Sequence, residues 1–241
     1  MNNDNLKPIL AAVGGAVVIV AVFLIAYLIG GSGSNSKTLP APDHTPIQML
    51  AGIPQHGNIL GDPNAKLTLI EFADPQCSGC KWFSQNVIPQ LISTYVRTGK
   101  VKIEYEGQTF IDQNVSQDSN RLLRMYIAAG EQNKFWQFTE LVYANQGGED
   151  SGYATNAWLK EIAHIIPGLN VDKAYSTWES KTFASQIASY SKDFSKFGFT
   201  ATPSLLLGKT GQPITQKVTG TGNNVPDFAA VSAPIEAMLK S

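Results

Sequence analysis

The rhythm of apolar and polar positions changes several times along the chain, and each rhythm predicts an element. Ile9 to Ile29 is apolar and holds no charged residue. A helix over it, at 1.5 Å per residue, covers roughly 30 Å, one bilayer core. A cleaved signal peptide usually has an apolar region of ~7–15 residues and then an A-x-A-like site. Here the run is longer and "GGSGSNSK" follows, so an uncleaved anchor is expected. Gly30 to about Gly57 reads as a tether, first Gly/Ser-rich and then Pro-rich through "TLPAPDHTP". Residues 58–241 suit one folded domain. In it, Leu67 to Phe72 is a short apolar, β-branched run that predicts a buried strand. Cys80, Phe83, Val87, Ile88, Leu91, Ile92 and Tyr95 recur at helical spacing, with Pro89 expected to kink the helix they define. Val101 to Glu106 alternates as a second strand does. Strand, helix, strand is a βαβ unit with a parallel pair.

Composition narrows the function. The chain has 241 residues and a formal charge of −1. Neutralising phosphates takes a surplus of Lys and Arg, so no nucleic-acid partner is expected. Lys7 and Asp4 precede the apolar run and Lys37 follows it, which gives the span almost no orientation bias. The default reading is a short tail, 1–8, with the large domain translocated.

The chain has only two cysteines, Cys77 and Cys80, in "DPQCSGCKW". A structural zinc site needs about four ligands. His44, His56 and His164 are scattered and read as surface residues, so no metal and no cofactor are expected. A static disulfide would close a very small loop, with a chain-entropy gain of roughly 2 kcal/mol against ~4.7 for a 100-residue loop. Redox chemistry fits the position better. The pair sits where a strand turns into a helix, and free N–H groups at a helix N-terminus stabilise a thiolate. Cys77 is expected exposed and acidic. Cys80, on the apolar face, is expected buried. That asymmetry suits attack by Cys77 and resolution by Cys80. Glu71, six residues before Cys77, has two readings from spacing alone: a buried carboxylate that exchanges a proton with Cys80, or a strand-end residue reaching solvent.

"GDPNAKLTLIEFADPQCSGCKWF" resembles the start of a DsbA-like thioredoxin-fold domain, of the kind found as membrane-anchored extracytoplasmic oxidoreductases in bacteria. "EQNKFWQFTELVYANQ" resembles part of that family's helical insertion, and "GFTATPSLLLG" its cis-proline segment. The resemblance implies an α/β thioredoxin fold with a helical insertion at about 116–197, faced by Leu122, Met125, Tyr126, Phe135, Phe138, Leu141 and Val142. It implies further strands near 203–207 and "QKVTG", and a last helix near Pro226 to Lys240. By the same resemblance Cys77 is the nucleophile, Cys80 the resolving thiol, Glu71 the buried acid and Pro203 the cis-proline. Thr202, Trp82, Ser78 and Gly79 would line the client site. The inner pair Ser78-Gly79 lacks the histidine or proline of the best-known relatives. Ser78 is expected to donate to the Cys77 sulfur, and Asp74 to cap the helix and add negative charge. The function implied is disulfide formation in exported cysteine-containing proteins. Reoxidation would come from a quinone-linked membrane partner, DsbB-like or VKOR-like. A reductase, an isomerase or a binding module with a static disulfide is the alternative.

Overall fold

The computed structural model describes residues 42–112, 116–178, 180–222 and 225–241. The expected tail, the span 9–29 and the first part of the tether lie outside these residues. Among the described residues no helix is long and apolar enough to cross a membrane.

Six strands among the described residues form one sheet: β1 (Gln55–His56), β2 (Ile59–Leu60), β3 (Leu67–Ala73), β4 (Val101–Gly107), β5 (Ser204–Lys209) and β6 (Gln216–Val218), in the order β1-β2-β4-β3-β5-β6. β3 pairs parallel with β4, from Leu67 opposite Val101 to Ala73 opposite Gly107, and antiparallel with β5. Both faces of β3 are covered. Leu69 and Ala73 belong to the main core, whereas Phe72 packs with Phe194 and Leu206 in a second cluster. A strand buried on both sides has no solvent face to alternate with, which is why its sequence is almost continuously apolar.

The helices are α1 (Thr45–Met49), α2 (Ser78–Asn86), α3 (Ile88–Leu91), α4 (Asp118–Gly130), α5 (Phe135–Ala144), α6 (Asn156–Ile165), α7 (Val171–Thr177), α8 (Lys181–Lys196) and α9 (Phe228–Lys240). The helix expected to kink at Pro89 ends at Asn86 and restarts at Ile88 with the proline in its first turn. Proline has no N–H to give the preceding turn, and a first turn does not need one. A π-turn, Ile92–Val96, completes the crossover to β4. Helices α4 to α8 are the insertion, and all seven apolar residues named for it are buried. Tyr105 of β4 packs against Tyr126, Phe135 and Trp136, which ties the insertion to the sheet.

The folded domain starts earlier than residue 58. Leu50 is buried in the core, the Asp43 N–H donates to Asn145 Oδ1 at 2.8 Å, and the Trp136 N–H donates to Gln55 Oε1 at 3.2 Å. Residues 42–57 are therefore structured against α5. Their Pro and Gly density reads as linker because the apolar residues that anchor them, Pro46, Leu50 and Ile53, are too few, and α1 too short, for a periodic pattern to stand out.

Candidate active site

β3 ends at Ala73 and α2 starts at Ser78, and the turn between them carries Cys77 as the helix N-cap. Both cysteines are free thiols, Cys77 part-exposed and Cys80 buried. Cys77 Sγ accepts from the Cys80 N–H at 3.4 Å and donates to the Thr202 carbonyl at 3.3 Å. The Cys77 thiol is lowered from 9.0 to about 6. The Cys80 thiol, hydrogen-bonded to it, is the largest cause. Burial opposes the shift, and hydrogen bonding involving Thr202 and the amides of Cys80 and Gly79 supports it. Burial pushes Cys80 well above 9.0, and its bond to Cys77 and the charges of Cys77 and Glu71 add to that. One sulfur is thus accessible and acidic, and the other is enclosed and held protonated.

Glu71 lies on β3, 2% exposed, so the solvent-reaching alternative does not hold. Burial raises its carboxyl well above 4.5, and the negative charges of Glu140 and Cys77 raise it further. Glu140, on α5, is pushed by its own burial to about 8, although Ser84 Oγ donates to it at 2.7 Å. The Thr202–Pro203 peptide is cis. Pro203 Cδ lies 3.4 Å, and Cys77 Sγ 3.6 Å, from where a Cβ on Gly79 would stand. Gly79, Cys77 and Pro203 are therefore in one tight group. Trp82 is among the large apolar side chains left exposed, at 42%.

Two expected contacts are replaced. Asp74 does not cap α2. Its Oδ1 accepts from the Gln76 N–H at 3.0 Å and from Ser119 Oγ, and its Oδ2 accepts from the Ile111 N–H at 3.2 Å. The tight turn through Pro75 folds Asp74 under the loop, away from the helix end, and burial lifts its carboxyl to about 7 against those bonds. It therefore carries only part of the negative charge expected of it at neutral pH. Ser78, at the first helical position, uses its N–H to donate to Glu149 Oε1 at 2.8 Å.

The turn has a buried polar frame. Gln76 Nε2 donates to Asp112 Oδ1 at 2.8 Å and Ser119 Oγ at 2.7 Å, and Gln76 Oε1 accepts from the Asp150 N–H at 2.7 Å. The hydroxyls of Tyr105 and Tyr143, 2.9 Å apart, reach the carbonyls of Ala73 and Asp74 at 3.2 Å. Gln76 precedes Cys77 in its motif, and Glu140 and Tyr143 lie in the insertion segment, but nothing in those segments marks their contacts. Only tertiary folding brings Ser119, Glu140, Tyr143 and Glu149 to the turn that carries the cysteines.

A family model described as Thioredoxin matches residues 55–218. Disulfide bond formation protein D of Bacillus subtilis is 25% identical over 188 residues, covering 76% of this chain and 77% of the relative. Among solved structures, oxidised BdbD of Bacillus subtilis matches with a TM-score of 0.65 at 22% identity, covering 78% of this chain and 98% of that one. DsbA of Chlamydia trachomatis matches with a TM-score of 0.64 at 20% identity, covering 76% and 91%. At such identities the structural likenesses establish the fold.

Proposed function

The chain belongs to the DsbA-like thioredoxin-fold family and is a thiol–disulfide oxidoreductase; from that premise we propose that it forms disulfides in exported proteins. The observation that carries this reading is the contrast between its two sulfurs, an accessible Cys77 at about 6 and a buried, protonated Cys80. In the oxidised protein a client thiolate attacks Cys77 Sγ. The Cys77–Cys80 bond breaks, and Cys80 leaves as a thiolate that takes a proton from Glu71, whose carboxyl burial raises well above its usual range. A second client thiolate then attacks the client sulfur of the mixed disulfide and expels Cys77. An acidic thiol is a good leaving group, so this step favours release of an oxidised client. The reverse sequence is attack by Cys77 and resolution by Cys80.

Thr202 and Pro203 border the sulfur, where an extended client strand can pair with the Thr202 backbone. Gly79 lies against it, and Trp82 and Ser78 would complete the client site. The uncharged run 9–29 supports a single-pass anchor in the bilayer with the catalytic domain outside the cytoplasm. The compartment supports oxidation as the net reaction. A quinone-linked membrane protein, DsbB-like or VKOR-like, would accept the two electrons that each cycle leaves on Cys77 and Cys80.

The test uses the oxidised protein and a reduced, unfolded client. Client disulfides should appear together with protein thiols, one pair for one pair, and Cys80→Ala mixed with a disulfide-bearing client should accumulate client joined through Cys77, the other client sulfur leaving as a thiol. No transfer, or equal trapping by Cys77→Ala and Cys80→Ala, would refute the assignment.

A further inference from the structure

One loop of the insertion grips the residues on both sides of Cys77. Gln146 Nε2 donates to the Pro75 carbonyl at 2.9 Å, the Asp150 N–H donates to Gln76 Oε1 at 2.7 Å, and Glu149 Oε1 accepts the Ser78 N–H at 2.8 Å. The loop is fixed in turn from behind. Asp150 has φ +51°, a left-handed conformation that Asp adopts more readily than most residues, and its Oδ1 accepts from the N–H and the Oγ of Ser116, each at 2.9 Å. Gly147 has no room for a side chain, since a Cβ would stand 2.5 Å from the Tyr153 ring. Glu149 is exposed, yet it is not a freely moving surface carboxylate. Its neighbours on both sides are anchored, and its oxygen sits on the first N–H of the helix that Cys77 caps.

The place matters because the same helix end stabilises the Cys77 thiolate. Free N–H groups there attract an anion, and two anions at one helix end repel each other. A thiolate is formed on reduction and is absent from the disulfide, so charge that disfavours it favours the oxidised protein. Building on the assignment of Cys77 as the exchanging sulfur, we propose that Glu149 is a redox-tuning positioning residue: its carboxylate, held on the Ser78 N–H, makes the Cys77–Cys80 disulfide a weaker oxidant than the helix end alone would make it. A carboxylate that only anchors the loop would act through its hydrogen bond and not through its charge.

Glutamine separates the two, because its side-chain oxygen can still accept the Ser78 N–H. The equilibrium to measure, on the full-length chain in detergent, is protein disulfide plus two glutathione thiols giving protein dithiol plus glutathione disulfide. Glu149→Gln should shift it toward reduced protein about threefold, equivalent to about 14 mV at ~29.6 mV per tenfold for a two-electron couple. The Cys77 titration midpoint should fall alongside. Glu149→Lys should move both further in the same direction. The differences should shrink in 1 M salt, where the screening length is about 3 Å against about 10 Å at 0.1 M. If Glu149→Gln matches the parent in both equilibrium and midpoint, or shifts them the opposite way, the proposal is overturned, and a loss confined to Glu149→Ala would assign the residue a purely structural role. A parent protein that does not exchange with glutathione would refute the oxidoreductase reading instead.

Discussion

At Cys77 the acidity comes first from the neighbouring Cys80 thiol and then from hydrogen bonding involving Thr202 and the first helical amides. Cys80→Ala should therefore raise the Cys77 midpoint above about 6, as read by ultraviolet absorbance of the thiolate; an unchanged midpoint would assign the acidity to the helix end alone. The shift also couples to stability. A thiol lowered by folding stabilises the folded protein fully above its unfolded value of 9.0, and the gain is lost as pH falls through about 6. The stability of the reduced protein relative to the oxidised one should thus fall from pH 9 to pH 6, by at most about 4 kcal/mol at ~1.36 per unit. Denaturant midpoints of both forms across that window check the sign. Glu71→Gln keeps the size of the side chain and removes proton exchange, so client oxidation near neutral pH should slow by about tenfold or more. The cysteines, Glu71 and Pro203 were legible because a short segment places each of them. Glu140 and Glu149 were not, since they lie 56 and 71 residues from Ser84 and Ser78, the partners they bond.

Elements were legible where periodicity is strong. β3, β4 and the α2–α3 face follow from their apolar patterns, and Pro89 marks the break. The boundary near residue 42 was hidden because α1 is only five residues long and flanked by turn residues, and its partner α5 is far along the chain. The fit between β4 and the insertion was hidden too. Gly107 ends β4, and a Cβ there would collide with the Leu123 side chain of α4. Overpacking of that kind costs about 1–3 kcal/mol. Gly107→Ala should lower the denaturant midpoint accordingly with little change in its slope; a midpoint within error of the parent would mean that α4 shifts freely on the sheet. The sequence holds no mark of this contact, because a strand-end glycine reads equally well as a turn.

For the whole molecule, the thioredoxin core and its helical insertion could be read from three motif-bearing segments, whereas the hydrogen-bonded frame that joins them required the fold. The proposed anchor rests on the uncharged run 9–29. Protease added to cells stripped of their wall should digest the catalytic domain, and full protection would place it inside. Oxidation as the net reaction is proposed from the inferred compartment and the paired sulfurs, and one equilibrium measurement tests that most directly. The full-length protein is brought to equilibrium with glutathione buffers of known potential, and its free thiols are counted. The helix end favours the Cys77 thiolate, while Glu149 opposes it and no histidine adds positive charge in the inner pair. The expected potential lies between those of thioredoxin, about −270 mV, and DsbA, about −120 mV. A value at or below that of thioredoxin would contradict the account and make the protein a reductase.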